Sequence, residues 1–167
     1  IQFLDWGLRG FSTKDQRVIA FEALKESEKG RECLNEFYKT ALHKEVNLCP
    51  PLHKYLADGG NEFAACEYGI YLANEEGGQE EARQYLEMAI TKMNKEIDAL
   101  KDPESKDLRA YTSLRWSLSH AQDAIDKIYE GEFKLIDFTQ IGAFEKVTQL
   151  ADKNNALAID FLFKQIE

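Results

Sequence analysis

The segment Arg115-Trp-Ser-Leu-Ser-His120 puts a permanent cation and a proton carrier within six residues. Histidine titrates near neutral pH, and arginine can hold a phosphate or a developing negative charge. On a helix, His120 falls opposite Leu118 and Ala121 and shares a face with Trp116 and Asp123, at steps of four and three. Ser117, His120 and Asp123 carry the residue types of a nucleophile set. On one helix, however, Ser117 and Asp123 diverge by well over a quarter turn, and there is no Gly-x-Ser-x-Gly elbow. Cys49 and His53 are four apart, with two prolines between them and no two further ligands at zinc spacing. Glu75-Glu76 and Glu80-Glu81 are paired carboxylates of the type used in acid–base work. Their place before a helix suits the other role of acids there, complementing the helix N-terminus. The chain has no glycine-rich phosphate loop, no Glu-x-x-His pair and no dinucleotide fingerprint. No catalytic, metal or cofactor residue is therefore assigned.

The Arg115…His120 spacing is similar to the signature of HEPN-domain ribonucleases, in which an arginine and a histidine act together on a phosphodiester inside a dimerising helical bundle. That resemblance implies a ribonuclease using Arg115 and His120. Trp116 stands where that family usually has a polar residue.

The whole-chain balance points elsewhere. In 167 residues there are 21 Lys plus Arg against 30 Asp plus Glu, a formal net charge of −9. An acidic chain disfavours a phosphate-backbone partner. The cations Lys92, Lys95, Lys101, Lys106 and Arg109 lie close in sequence and read as solvated helix ends. With 44% hydrophobic residues the chain can bury a core, and 3 prolines with 10 glycines are few for an all-β fold. Cys33, Cys49 and Cys66 are odd in number and spaced for no zinc pattern, so free buried thiols in a reducing, cytoplasmic setting are expected. One disulfide with a thiol left over is the alternative. No stretch reaches the roughly 18 apolar residues of a membrane span. The first residue is Ile1, which reads as the start of a piece of something longer. The run Ile1–Phe11 is apolar but interrupted by Asp5 and Arg9, and it lacks the features of a signal peptide. It reads as a segment that docks on the helices, with residues 12–167 forming a single all-helical domain.

The helical period runs nearly throughout. Ser12 and Thr13 before Asp15 and Gln16 are overlapping capping boxes. Gly30 is a kink or a stop within the first apolar pattern. Leu34, Phe37, Tyr38, Ala41 and Leu42 continue it until Cys49-Pro50-Pro51. His53–Ala57 reads as one short turn, and Asn61 as the cap of a helix carrying Phe63, Cys66, Ile70 and Ala73. Ala82, Tyr85, Leu86, Ala89, Ile90, Met93, Ile97 and Leu100 trace one face of the next helix. Asp102-Pro103 opens a long helix with Tyr111, Leu114, Leu118, Ala121, Ile125 and Ile128 inward, closed by Gly131. Phe133–Thr139 has no strand to pair with and reads as a connector. A last helix, about 141–166, carries Asn154 and Asn155 inside its apolar stripe, as a polar layer or as its edge. The fold expected is all-α, a bundle or short repeat-like stack of five to six antiparallel amphipathic helices.

The best-defined unit is the hairpin Phe63-Ala-Ala-Cys-Glu-Tyr-Gly-Ile-Tyr-Leu-Ala-Asn-Glu-Glu-Gly-Gly-Gln-Glu-Glu-Ala-Arg-Gln-Tyr-Leu-Glu-Met-Ala-Ile90. It resembles the helical hairpin of tetratricopeptide and Sel1-like repeats. Gly69 falls at the small residue of the first helix and Leu72 at its large apolar one; Ala82, Tyr85-Leu86 and Ala89 follow the Gly77-Gly78 turn. The resemblance covers roughly 30 residues, with no second copy, and implies a protein-binding helical surface without chemistry. The function expected is a non-catalytic protein- or peptide-binding interaction or scaffold domain. Its acidic surface suits a basic partner, and a homodimer is compatible with it. Tyr68, Tyr71, Tyr85, Trp116 and His120 are the candidate partner-binding residues, since tyrosine and tryptophan dominate interface energetics. The other open readings are the ribonuclease and a ligand-sensing helical domain of a larger membrane-anchored protein.

Overall fold

The computed structural model of the chain describes residues 14–40, 50–100 and 108–166. Every regular element among them is a helix: α1 (Lys14–Glu26), α2 (Glu28–Thr40), α3 (Pro50–Asp58), α4 (Glu62–Ala73), α5 (Gln79–Ala99), α6 (Leu108–Lys134), α7 (Ala143–Asp152) and α8 (Ala156–Lys164). The fold is all-α, as expected. The run 1–11, the Ser12/Thr13 caps, Cys49 and Asp102-Pro103 lie outside the described residues. Contacts divide the chain into two compact units, Ile1–Ala121 and Gln122–Glu167. None of the described helices is long and apolar enough to cross a membrane.

In the first unit, successive helices pack on one another: α1 on α2, α3 on α4, and α4 on α5. The first break falls at Ser27, not at Gly30. The Ser27 hydroxyl accepts from the Gly30 amide at 2.9 Å, capping α2. Arg31 Nη1 donates to the Lys25 carbonyl at 2.8 Å and satisfies the open end of α1. Gly30 is buried in the first turn of α2, where a Cβ would stand 2.0 Å from the Leu24 carbonyl oxygen. It is neither kink nor stop; it is there because Leu24 leaves no room.

The segment read as a short turn after Cys49 is the nine-residue helix α3, with both prolines in its first turn, where a missing amide costs nothing. It buries Leu52, His53, Leu56 and Ala57, and its Tyr55 meets Phe21 of α1 edge-on at 5.7 Å. Asn61 caps α4 as expected, accepting from the Ala64 amide at 2.9 Å. The buried side of α4 is Ala64, Ala65, Cys66, Tyr68, Gly69 and Leu72, whereas Phe63, Ile70 and Ala73 are half-buried. On α5, the buried positions Ala82, Leu86, Ala89 and Met93 fall at steps of four, three and four, the helical contact spacing. On α6, Leu114, Leu118, Ala121, Ile125 and Ile128 are buried as expected. The helix passes through Gly131 and ends at Lys134.

The second unit is built on Ile136, Ala143, Val147 and Ala158, with Phe133, Leu150, Ala151, Phe161 and Leu162 packed around them. Phe133, Phe138 and Phe161 form a ring triad with centroids 5.2–5.8 Å apart. The connector after α6 is a set of turns, one of them fixed by the Asp137 carboxylate, which accepts from the Thr139 amide at 3.0 Å and hydroxyl at 2.6 Å. The single last helix expected is instead the pair α7 and α8. The chain turns at Asn154 in the left-handed region, φ +62°, and Asn155 caps α8 by accepting from the Ala158 amide at 3.1 Å. Asn155 is fully buried and its Nδ2 donates to the Tyr129 carbonyl at 3.2 Å and to Glu132 Oε2 at 3.0 Å. The polar layer exists, but it is one asparagine holding a helix joint; Asn154 is exposed. Leu135, Ile141, Phe144, Phe163 and Ile166 remain largely exposed on this unit.

Candidate functional site

The tyrosines singled out from the sequence come together because α4 and α5 approach closely. Gly69 makes that approach: a Cβ there would stand 2.7 Å from Leu86 Cγ and 3.2 Å from the Ala82 carbonyl oxygen. Tyr68 precedes Gly69 and Tyr85 precedes Leu86, so the same contact carries both rings to one place. Their centroids are 4.9 Å apart in an edge-to-face arrangement, a geometry aromatic quadrupoles favour. Tyr71, one helical turn beyond Tyr68, stacks on it at 6.1 Å with planes inclined by 21°.

Helix α3 completes the cluster with two residues the sequence reading missed, Lys54 and Asp58. Lys54 Nζ donates to the Tyr85 hydroxyl at 2.8 Å, and that hydroxyl donates onward to Asp58 Oδ1 at 2.5 Å. The ammonium lies 5.6 Å from the Tyr68 ring centroid and 5.3 Å from that of Tyr85, within cation–π range of both. Asp58 at 3.5 Å and Glu81 at 3.6 Å flank it. The hydrogen bond from Lys54 to Tyr85, helped by the nearby phenols and Asp58, holds the ammonium above the usual lysine range. Burial pushes the Tyr68 and Tyr85 phenols up. The Lys54 ammonium and the two phenols are thus all shifted away from neutral pH. The cluster's signal in the sequence is a Lys–Asp pair at i, i+4 between the prolines and Gly59-Gly60, masked because prolines and glycines on both sides are the marks of a turn.

Trp116 and His120 form their own stack on α6, with ring centroids 3.8 Å apart. His120 Nδ1 lies 2.8 Å from the Trp116 carbonyl oxygen, which can only accept, so Nδ1 carries the proton of that bond. Trp116 is 49% exposed. Arg115 and His120 are five residues apart on a continuous helix and so point roughly 140° apart. Ser117 is buried, and its carbonyl accepts from Cys66 Sγ at 3.5 Å, seating α6 against α4. Burial pushes the Cys66 thiol up to about 12, an inert state. Among the described residues, no group of three or more His, Cys, Asp and Glu side chains could hold a metal ion. Lys101 and Lys106 of the sequence-level basic patch lie outside the described residues, and Lys92 is engaged by the Gly60 carbonyl.

Glu67, on α4, is held above the usual carboxylate range by burial, with His120 pulling the other way. A carboxyl with a raised folded-state pKa favours folding while protonated, and that contribution is lost as pH rises from the unfolded pKa through the folded one. Glu67→Gln keeps the shape and removes the ionisation. It is expected to raise Tm at pH 7, with the difference closing below about pH 4. Thermal melts at the two pH values check this; no gain at pH 7 contradicts it.

No protein-family model, curated protein or solved structure matches this chain.

Proposed function

We propose that the chain is a non-catalytic helical interaction module that takes a protein or peptide partner on the tyrosine cluster of α3, α4 and α5. The observation that carries this is the convergence, from two helices, of the half-buried Tyr71 and Tyr85 on the buried ring of Tyr68. Rigid, amphipathic rings held by their neighbours bind at low entropic cost, which is why tyrosine is enriched among binding hot spots. The carboxylates beside the cluster, Asp58 and Glu81, are both exposed. That charge supports a basic partner. The hairpin's resemblance to tetratricopeptide-type repeats supports the same reading.

The test is affinity purification from the native source with the wild type and with Tyr71→Ala. Tyr71 is half-buried at the edge of the cluster, so its truncation leaves the α4–α5 contact in place. A partner held by the wild type is expected to bind roughly tenfold or more weakly to the variant, since truncating a hot spot costs about 2 kcal/mol or more. Equal recovery by both contradicts the proposal.

A further inference from the structure

The ammonium in the tyrosine cluster belongs to the chain itself, and its surroundings are those of a recognition site for an organic cation. Two ring faces, a phenol oxygen that accepts a hydrogen bond and two carboxylates converge on Lys54 Nζ. Paired aromatic faces with carboxylates are how proteins select substituted ammonium groups. The walls stand without the occupant. The Tyr85 hydroxyl is anchored to Asp58, the Tyr85 ring lies edge-to-face on Tyr68, and Tyr68 stacks on Tyr71. Apart from its 2.8 Å hydrogen bond to the Tyr85 hydroxyl, the occupant is held more loosely. Lys54 is 45% exposed at its side chain, its carboxylate partners are at 3.5 Å and 3.6 Å, and both are half exposed. Exposed ion pairs of this kind contribute little to stability, and a four-carbon stem swings out readily.

We infer that this cage is a lysine-binding site closed in cis by Lys54, and that a lysine side chain of the partner enters by displacing it. The inference rests on the interaction-module reading and names the chemistry its partner presents. Charge complementarity argues for it: the exposed groups beside Lys54, Asp58 and Glu81, are acidic, so an incoming ammonium meets a matched field once Lys54 leaves. Lys54 then sets a threshold. A lone lysine exchanges for an equivalent group with little gain, whereas a basic segment that also reaches the two carboxylates displaces it.

The experiment titrates the tripeptide acetyl-Gly-Lys-Gly-amide into the wild type and into Lys54→Met and Lys54→Gln, followed by NMR shifts at Tyr68 and Tyr85. The same peptide with norleucine in place of lysine is the comparison ligand. The expected result is binding at least tenfold tighter in both variants than in the wild type, with shifts only for the lysine peptide. Adding Glu81→Gln to Lys54→Met is expected to weaken it several-fold. Equal affinity in the wild type and both variants, or equal shifts with norleucine, overturns the inference. Because the probe is a peptide of known composition, such a failure leaves partner capture by the wild type and its loss in Tyr71→Ala unaffected, and the two proposals fail separately.

Discussion

Replacing Gly69 by Val is expected to destabilise the first unit by about 3 kcal/mol, the upper part of the cost of overpacking a fitted helix contact. Two atoms of Leu86 already lie within 3 Å of where a Cβ would stand, and the Ala82 carbonyl oxygen behind them belongs to a helix backbone that cannot yield. Thermal melts are expected to show a fall in Tm of roughly 10–15 °C. Gly69→Ala is milder, because the helix propensity gained on leaving glycine, about 1 kcal/mol, offsets part of the clash. Leu86→Ala alone opens a cavity and costs about 2–5 kcal/mol. Combined with Gly69→Val, it is expected to cost clearly less than the sum of the two, because the added methyls occupy the space the leucine leaves. Additive losses would mean that the two residues do not meet. The same substitution pushes Tyr68 away from Tyr85, so the folded fraction of Gly69→Val is also expected to lose the partner.

Asn155→Ala is expected to cost about 2–3 kcal/mol in the second unit. The helix cap alone is worth about 1 kcal/mol, and the change also removes the two donor bonds to Tyr129 and Glu132 in a fully buried position. Asn155→Asp is the sharper variant. It keeps the oxygen that caps Ala158 but replaces the amide donor with a carboxylate facing the Glu132 carboxylate and a carbonyl oxygen. Its folded-state pKa is expected to be raised, so the variant is expected to be most stable at acidic pH and to lose stability as pH rises through that pKa. Urea titrations at pH 4 and pH 7 measure this; a variant equally stable at both would show that the donor side of Asn155 carries no weight.

The all-helical fold was legible because its signal is local. The stripe from Ala82 to Met93 on α5 and that from Leu114 to Ile128 on α6 are buried as read, since a period of 3.6 places those residues on one face whatever they meet. What escaped was decided by single groups. On α4 the large residues Phe63 and Ile70 are only half-buried, while the buried side includes the small Ala64 and Ala65, which periodicity of large residues does not mark. The joint between α7 and α8 hides in a continuous apolar stripe because Asn155 is both cap and buried donor, and only its partners on α6 show which role governs. Ser27, an ordinary polar residue in sequence, starts α2 through one hydroxyl. In the candidate site, Tyr68, Tyr71 and Tyr85 were found from residue type and prove to be adjacent. Lys54 and Asp58 were missed, because their helix begins at two prolines and ends at two glycines, the usual marks of a turn.

Hydrogen–deuterium exchange on the chain bound to its native partner tests the central claim most directly. The interaction-module account predicts that binding slows exchange in the peptides spanning Lys54–Asp58 and Tyr68–Tyr85 and leaves Gln122–Ile166 unchanged. Slowed exchange confined to the second unit, around the exposed Ile141, Phe144 and Phe163, with none at the tyrosine cluster, would contradict it.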